Sequence, residues 1–239
     1  MSYIYGRNAI IEALKNKKVD KIYAAPGLKG SIGKIYAMAK EQKIVIVEAD
    51  KKKLKDMVGD VNHQGVVALS SSFEYSQVED IIAYAKSKGE NIKLIMLDEI
   101  EDPYNFGAIA RSAEAFGFHG IIIPKRRSAL VNDAVYKSSA GAIESIKVAV
   151  VNNLSQTISE LKENSIWVYG ATMEGNSICD QNLVGNICIV IGNEGKGLGH
   201  AVEKNCDELI SIPMLGSINS LNASVACGII LYEVTRQTK

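Results

Sequence analysis

The 239-residue sequence has few of the features that mark membrane, secreted or metal-binding proteins. No apolar run approaches the roughly 18 residues that span a membrane, and the N-terminus lacks the basic-then-apolar layout of a secretion signal. The 4 cysteines, at positions 179, 188, 206 and 227, form no Cys-x-x-Cys pair, which argues against a zinc site and against a disulfide framework. The 3 histidines are dispersed. We therefore expect no metal, no membrane contact and a cytoplasmic protein with reduced, buried thiols.

The sequence also lacks net charge, with 27 Lys and Arg against 27 Asp and Glu. Taken alone, this balance argues against a nucleic-acid-binding protein. Residues 1–72, however, contain 13 basic and 7 acidic residues, a balance of +6, which leaves 14 and 20, or −6, for the remainder. A charged run such as Lys51-Lys52-Lys53 is most often a solvated face. The net charge of zero is therefore an average over a basic first part and an acidic remainder.

Strand and helix patterns alternate along two blocks of the chain, which predicts an α/β fold. In the first block, short apolar strands at 22–25, 44–47 and 65–69 alternate with helical spacing at 8–15 and 31–41. In the second block, near-continuous apolar runs predict a mostly parallel sheet covered on both faces. These runs lie at 94–97, 120–123, 166–169, 187–191 and 209–212, with helices at 105–116, 154–163 and 221–236. We predict two domains, 1–72 and 93–239, connected by a linker helix within 73–92.

Open parallel sheets bind ligands at the carboxyl ends of their strands, and three loops there are unusual. The first contains Asp102-Pro103-Tyr104-Asn105, where Asn105 can cap the next helix and Arg111 can reach an anion. For this loop alone, the simpler interpretation is an ordinary cap and a surface cation.

The second loop, 192–199, has four glycines in eight residues, so that its backbone can approach a ligand closely. It matches neither the P-loop, because Leu198 stands where lysine is required, nor the dinucleotide fingerprint. In the third loop, 212–222, either Ser220 or Asn222 begins an apolar helix. We expect Ser220 to be an N-cap, and the two side chains can also face a ligand.

The three loops together resemble the three motifs of the SpoU (TrmH-type) RNA 2′-O-ribose methyltransferases. The resemblance lies in 102–113, in 191–198, and in 212–214 with 220–226. Residues 4–14 and 63–68 are similar to the family's substrate-binding extension, which has a ribosomal-protein-like RNA-binding fold. That extension implies the bacterial enzyme that methylates a guanosine ribose in 23S ribosomal RNA.

The resemblance implies a C-terminal domain with a deep trefoil knot, an exception to the unknotted rule, and a homodimer through the knot region. It implies S-adenosylmethionine as cofactor and RNA, such as 23S rRNA or a ribosomal precursor, as partner. The cofactor-binding residues implied are Thr172, Met173, Gly192, Ile212, Met214 and Leu221. The RNA-binding residues implied are Arg7, Asn8, His63 and Gln64.

The catalytic residues implied are Arg111, Asn105, Glu194, Ser220 and Asn222. Because a guanidinium stays protonated, our hypothesis is that Arg111 holds a phosphate and stabilises the developing alkoxide. Glu194 either anchors Arg111 of the facing chain or orients the glycine loop. We assign no catalytic role to Asn193. Alternative functions are the same chemistry on tRNA and a non-catalytic RNA-binding ribosome-assembly factor.

Overall fold

The computed structural model describes residues 2–70, 73–217 and 220–238. The strands are Ser2–Tyr5 (β1), Val19–Ala24 (β2), Val45–Glu48 (β3), Val66–Ser70 (β4), Lys93–Leu97 (β5), Gly120–Pro124 (β6), Lys147–Val151 (β7), Trp167–Ser177 (β8), Ile187–Ile191 (β9) and Glu208–Ser211 (β10). The helices are Arg7–Lys15 (α1), Ile32–Glu41 (α2), Lys51–Val58 (α3), Val78–Ser87 (α4), Pro103–Ala115 (α5), Asp133–Ser138 (α6), Leu154–Glu163 (α7), His200–Asn205 (α8) and Ala223–Thr238 (α9).

The first sheet is mixed and small, with strand order β1-β4-β2-β3. β4 runs antiparallel to both of its neighbours, whereas β2 and β3 are parallel. Ile10 of α1 and Ile35 of α2 belong to the core on one face of this sheet. Leu54 of α3 packs with Val67 of β4 in a separate core. Both faces are therefore at least partly covered by helices.

The second sheet has six strands in the order β10-β8-β9-β5-β6-β7, and each recorded pairing is parallel. Ile95 of β5 packs with Phe106 of α5 and Cys227 of α9 on one face. Met96, the next residue, packs with Ile158 of α7 on the other face. This alternation confirms the prediction of a mostly parallel sheet covered on both faces.

Several elements were not predicted from the sequence: β1, β7, α3, α6 and α8. The helix expected within 73–92 is α4. Its Ile81 is fully buried in the core of the large sheet, and Ser76 N donates to Val148 O at 2.8 Å. The helix therefore packs as a layer of the second sheet. The boundary predicted at residue 72 lies outside the described residues.

Strand β8 is longer than the predicted 166–169 because backbone pairing with β10 extends it. The pairing passes from Leu209↔Gly170 directly to Ile210↔Asn176, so residues 171–175 bulge out of the sheet. A Cβ at Gly175 would lie 2.6 Å from the Ile210 backbone, which explains why glycine occupies this close approach. The bulge carries Thr172 and Met173.

The two parts of the chain contact each other through α1 and the segment after α6. Ser145 Oγ donates to Glu12 Oε1 at 3.2 Å, and Lys18 Nζ lies 3.9 Å from Glu144 Oε2. Burial raises the pKa of Glu144, and Tyr136 and Lys18 oppose this rise. Polar contacts therefore contribute to the junction between the two sheets.

Two further expectations concern the cysteines and the membrane. Cys188 and Cys227 are buried as expected, but Cys206 is half-buried and Cys179 is exposed. The expectation that all four thiols are buried was wrong for these two. Within the described ranges, none of the helices is both long and apolar enough to cross a membrane.

Candidate active site

The three unusual loops meet at the carboxyl edge of the large sheet. They follow β5, β9 and β10, which lie within one run of adjacent strands, β10-β8-β9-β5. Because all of these strands are parallel, their following loops converge. The central residues 218–219 of the third loop lie outside the described part of the chain.

Glu194 of the glycine-rich loop connects the other two loops. Its Oε1 accepts from Asn105 Nδ2 at 3.0 Å, from Asn222 Nδ2, and from the Ala223 amide at 3.1 Å. Asn222 Nδ2 also donates to Asn105 Oδ1 at 3.0 Å. We call these three side chains the Asn–Glu–Asn cluster. It contains three of the five residues that the sequence predicted as catalytic.

The helix caps differ from the predicted ones. Asp102, not Asn105, caps α5, because its carboxylate accepts from the Tyr104 and Asn105 amides at 3.1 and 3.3 Å. Asn222, not Ser220, caps α9, because its Oδ1 accepts from the Ser224 and Val225 amides at 3.0 and 3.3 Å. The sequence did not distinguish among several cap-forming side chains a few residues apart. These caps leave Asn105 Nδ2 and Asn222 Nδ2 available to Glu194.

Asn193 and Asp98 shape the glycine-rich loop, and sequence reasoning missed both. Asn193 Oδ1 accepts from the Gly195 amide at 2.9 Å, and its Nδ2 donates to Glu99 O at 3.0 Å. Asp98 Oδ2 accepts from the Gly199 amide at 2.7 Å. Burial raises the pKa of Asp98, and this hydrogen bond opposes the rise. Asp98 directly follows a buried strand, which was an available signal.

A cleft of about 480 Å³ lies between the glycine-rich loop, the β8 bulge and the start of α9. Its lining includes every residue predicted to bind the cofactor: Thr172, Met173, Gly192, Ile212, Met214 and Leu221. Glu194 and Ser220 also line it. A Cβ at Gly192 would lie 2.6 Å from Leu198 N, so only glycine lets the loop fold back here. The roles of these residues remain predictions.

Arg111 lies outside the Asn–Glu–Asn cluster. It is exposed on α5, six residues after Asn105, and within the described residues it has no hydrogen bond or ion pair. In a single chain Glu194 therefore contacts the two asparagines rather than Arg111. Ser220 is also exposed and, in the described part of the chain, makes no hydrogen bond.

A basic segment that sequence reasoning did not single out follows β6 at the same edge of the sheet. Lys125, Arg126 and Arg127 are consecutive and exposed. Arg127 NH1 donates to Glu99 Oε1 at 2.7 Å, which places this segment beside the loop that follows β5. Three cations at this edge would attract a phosphate backbone.

Three of the four residues predicted to bind RNA lie at one end of the small sheet. The Arg7 amide donates to Gln64 Oε1 at 3.1 Å, and His63 Nδ1 accepts from the Gly65 amide at 3.1 Å. The Arg7 guanidinium donates to Lys29 O at 2.8 Å, so one of its donors already holds a neighbouring loop. Asn8, the fourth residue, is exposed at the start of α1.

Comparison with known families agrees with this arrangement. Residues 92–232 match the model of the SpoU rRNA Methylase family. The chain belongs to this family. Residues 3–76 of this SpoU-family chain match the substrate-binding domain of RNA 2′-O ribose methyltransferases. The chain is therefore an RNA methyltransferase.

Individual relatives extend over both parts of the molecule. YacO of Bacillus subtilis (strain 168), assigned to the TrmH family of tRNA/rRNA methyltransferases, is 45% identical over 98% of this chain and 95% of its own. The crystal structure of the SpoU methyltransferase AviRb from Streptomyces viridochromogenes, in complex with AdoMet, is 25% identical with a TM-score of 0.83 over 98% of this chain and 89% of its own. The TrmH/SpoU tRNA modifying enzyme of A. aeolicus, at 26% identity and a TM-score of 0.57, covers 66% of this chain and 84% of its own.

Proposed function

We propose that this chain transfers the methyl group of S-adenosylmethionine to a ribose 2′-hydroxyl of RNA. The observation that carries the proposal is the Asn–Glu–Asn cluster, which ties three loops together beside a cleft lined by all six predicted cofactor residues. The match of residues 3–76 to a 2′-O-ribose methyltransferase substrate-binding domain supports the ribose hydroxyl as acceptor.

The residues of the cleft fit this cofactor. S-Adenosylmethionine joins a flat heteroaromatic base to a charged amino acid, so its site needs apolar walls and uncommitted polar groups. Ile212 and Leu221 supply apolar lining. The buried Thr172 hydroxyl has no hydrogen-bond partner among the described residues, as expected of a group that binds a ligand.

In this reaction the protein mainly has to align the two reactants and help to remove the proton of the hydroxyl. When bound, the cofactor supplies a methyl group already activated on a positively charged sulfur. The chain then has to hold the ribose hydroxyl in line and stabilise the alkoxide as the proton leaves. We assign the second task to Arg111, whose exposed guanidinium is uncommitted and whose forked donors suit a phosphate or an alkoxide. The Asn–Glu–Asn cluster positions the loops on which both reactants rest.

Replacing Arg111 by Lys tests this assignment. We expect methyl transfer to fall by roughly 10²-fold or more, because a point charge cannot replace the fork of an oxyanion-stabilising group. Cofactor affinity, measured by calorimetry, stays near that of the wild type. R236K is the matched control, since Arg236 forms a surface ion pair with Glu233 at 2.7 Å. Full turnover by R111K would show that Arg111 has another role.

We propose 23S ribosomal RNA, at a guanosine, as the substrate in the cytoplasm. The basic excess of residues 1–72 supports an RNA-capturing domain. The TrmH/SpoU tRNA modifying enzyme of A. aeolicus, in contrast, covers only 66% of this chain. Mapping 2′-O-methylation in RNA from a deletion strain, with and without the gene restored, identifies the target. A lost mark in tRNA would select the alternative substrate.

A non-catalytic assembly factor is the remaining alternative. The intact Asn–Glu–Asn cluster and the cofactor-sized cleft argue against it. Titration with S-adenosylmethionine by calorimetry separates the two functions. Absence of binding at millimolar cofactor would favour the assembly factor.

We also propose a homodimer through the knotted region that the family implies. Val225, Ile229 and Tyr232 are 50%, 40% and 58% exposed at helical spacing on α9. This apolar stripe is typical of a surface that a second copy covers. Light scattering after size exclusion should give twice the chain mass, and V225E/I229E should give the monomer. A wild-type monomer at micromolar concentration would exclude the dimer.

A further inference from the structure

Tyr104 is an exposed aromatic residue beside the Asn–Glu–Asn cluster. It directly precedes Asn105 in the first turn of α5, and 59% of it is exposed. Within the described residues its hydroxyl makes no hydrogen bond. Tyrosine combines an apolar ring with a polar hydroxyl, and it is enriched at binding interfaces.

A second tyrosine, Tyr5, lies on the small sheet. It ends β1, pairs with Val67 and is half-buried against the core around Leu54. It lies two residues before Arg7, the first residue of α1, whose amide donates to Gln64. Helix α6 packs against β1. From that helix, Lys137 Nζ lies 5.8 Å from the centroid of the Tyr5 ring.

Helix α6 packs against both α5, which carries Tyr104, and β1, which carries Tyr5. Helices α5 and α6 are held together where Ser138 Oγ donates to Pro103 O at 3.2 Å, one residue before Tyr104. Burial raises the pKa of Tyr5, and the nearby Asp133 and Tyr104 add to the rise. The two rings and the Lys137 ammonium thus lie between the RNA-binding end of the small sheet and the catalytic edge of the large one. We call these three residues the tyrosine bridge.

The chemistry of the tyrosine bridge matches unpaired RNA. Aromatic side chains stack on the bases of single-stranded RNA, and neighbouring lysines bind its phosphates. Lys137 is exposed and, within the described residues, has no ion pair. Asp133 carries the opposite charge, but burial raises its pKa to about 6, which reduces its charge in mildly acidic solution.

We propose that Tyr104 and Tyr5 stack on unpaired nucleotides next to the target ribose while Lys137 binds the phosphate between them. The bridge would hold the flanking RNA and so bring the ribose to the Asn–Glu–Asn cluster. It rests on the proposed methyl transfer to RNA and goes further, because it requires that the RNA be unpaired beside the target.

The test measures RNA and cofactor binding separately on full-length variants. Fluorescence anisotropy at low salt reports binding of labelled single-stranded oligoadenylate and oligouridylate and of a duplex RNA, and calorimetry reports S-adenosylmethionine. We expect Y104A and Y5A each to weaken single-strand binding by roughly tenfold, the loss of one stacked base. Y104F and Y5F should bind as the wild type does, because stacking needs the ring and not the hydroxyl. K137A should reduce the salt dependence of binding by about one unit of slope.

Y84A is the matched control, since Tyr84 is a 37%-exposed tyrosine on α4, outside the RNA-capturing residues 1–72. Equal RNA affinity of Y104A, Y5A and Y84A would overturn the proposal, as would wild-type protein that binds the duplex but neither single strand. Unchanged cofactor affinity in every variant shows that the fold and cleft are intact. Failure of the wild type to bind S-adenosylmethionine would instead count against the proposed methyl transfer.

Discussion

One carboxylate oxygen, Oε1 of Glu194, accepts hydrogen bonds from the side chains of Asn105 and Asn222 and from the Ala223 amide. These donors come from the starts of α5 and α9, which are far apart in sequence. The carboxylate therefore determines how the three loops lie relative to one another. Hydrogen bonds to an ionised acceptor are roughly twice as strong as neutral ones.

Glu194→Ala should lower methyl transfer by roughly 10²-fold, because loss of the shared acceptor loosens the alignment of the reactants. Glu194→Gln keeps an acceptor oxygen without the charge and should fall between Ala and the wild type. Turnover with saturating cofactor measures the effect. E163A, at an exposed glutamate that ends α7, serves as control. Equal turnover of E194A and E163A would remove Glu194 from the positioning of the site.

At the scale of elements, backbone hydrogen bonds within the glycine-rich loop hold it in its folded conformation. Asn193 and Gly197 exchange two backbone hydrogen bonds, of 3.1 and 2.8 Å, which fold the loop back over Gly192. Asp98 holds the far end at Gly199. The amide groups of a loop so constrained point in set directions, which lowers the entropic cost of binding a ligand.

Gly192→Ala should weaken S-adenosylmethionine binding by about tenfold or more. The added Cβ would lie 2.6 Å from Leu198 N, so the backbone of the loop has to shift. Gly195→Ala is the matched control, because its Cβ would meet Asn193 Oδ1 at 3.4 Å, a contact that a small adjustment relieves. Calorimetry measures the S-adenosylmethionine affinity of both variants. Similar losses in both would mean that flexibility, and not the close approach at Gly192, matters for binding.

At the scale of the whole molecule, Asp133 makes stability depend on pH where the two parts meet. It begins α6, which packs against β1, and burial raises its pKa from 3.8 to about 6. A carboxyl with a raised pKa binds its proton more tightly in the folded state. Its contribution to folding is therefore most favourable below pH 4 and is lost as the pH rises through about 6.

Asp133→Asn should raise the melting temperature at pH 7.5 and change it little at pH 4. The gain is of the order of 1 kcal/mol, because partial exposure screens the charge and the positive start of α6 opposes the pKa rise. D56N, at an exposed aspartate of α3, is the control. Thermal unfolding followed by circular dichroism at both pH values measures the difference. A gain of the same size at pH 4 would show that charge burial is not its cause.

The periodicity of apolar residues was enough to predict much of the fold. Runs such as Ile187–Ile191 and helical spacing such as that of Leu154–Glu163 follow from burial, which each segment expresses locally. Strand β7 was not predicted because it is only partly buried, and helix α6 was not predicted because it has only six residues. The capping residues were not predicted correctly either. Four residues can cap a helix, and only the folded backbone selects between them: Asp102, Asn105, Ser220 and Asn222.

The sequence by itself determined the family through its three motifs and determined which loops follow buried strands. Only the tertiary structure decided that Glu194 joins Asn105 to Asn222 and that the β8 bulge brings Thr172 to the cleft. The physical reason is the distance along the chain over which each effect acts. Burial and backbone preference act over a few residues. The hydrogen bonds of Asn222, in contrast, reach Glu194, 28 residues away, and Asn105, 117 residues away. They exist only once the parallel strands have brought their carboxyl ends together.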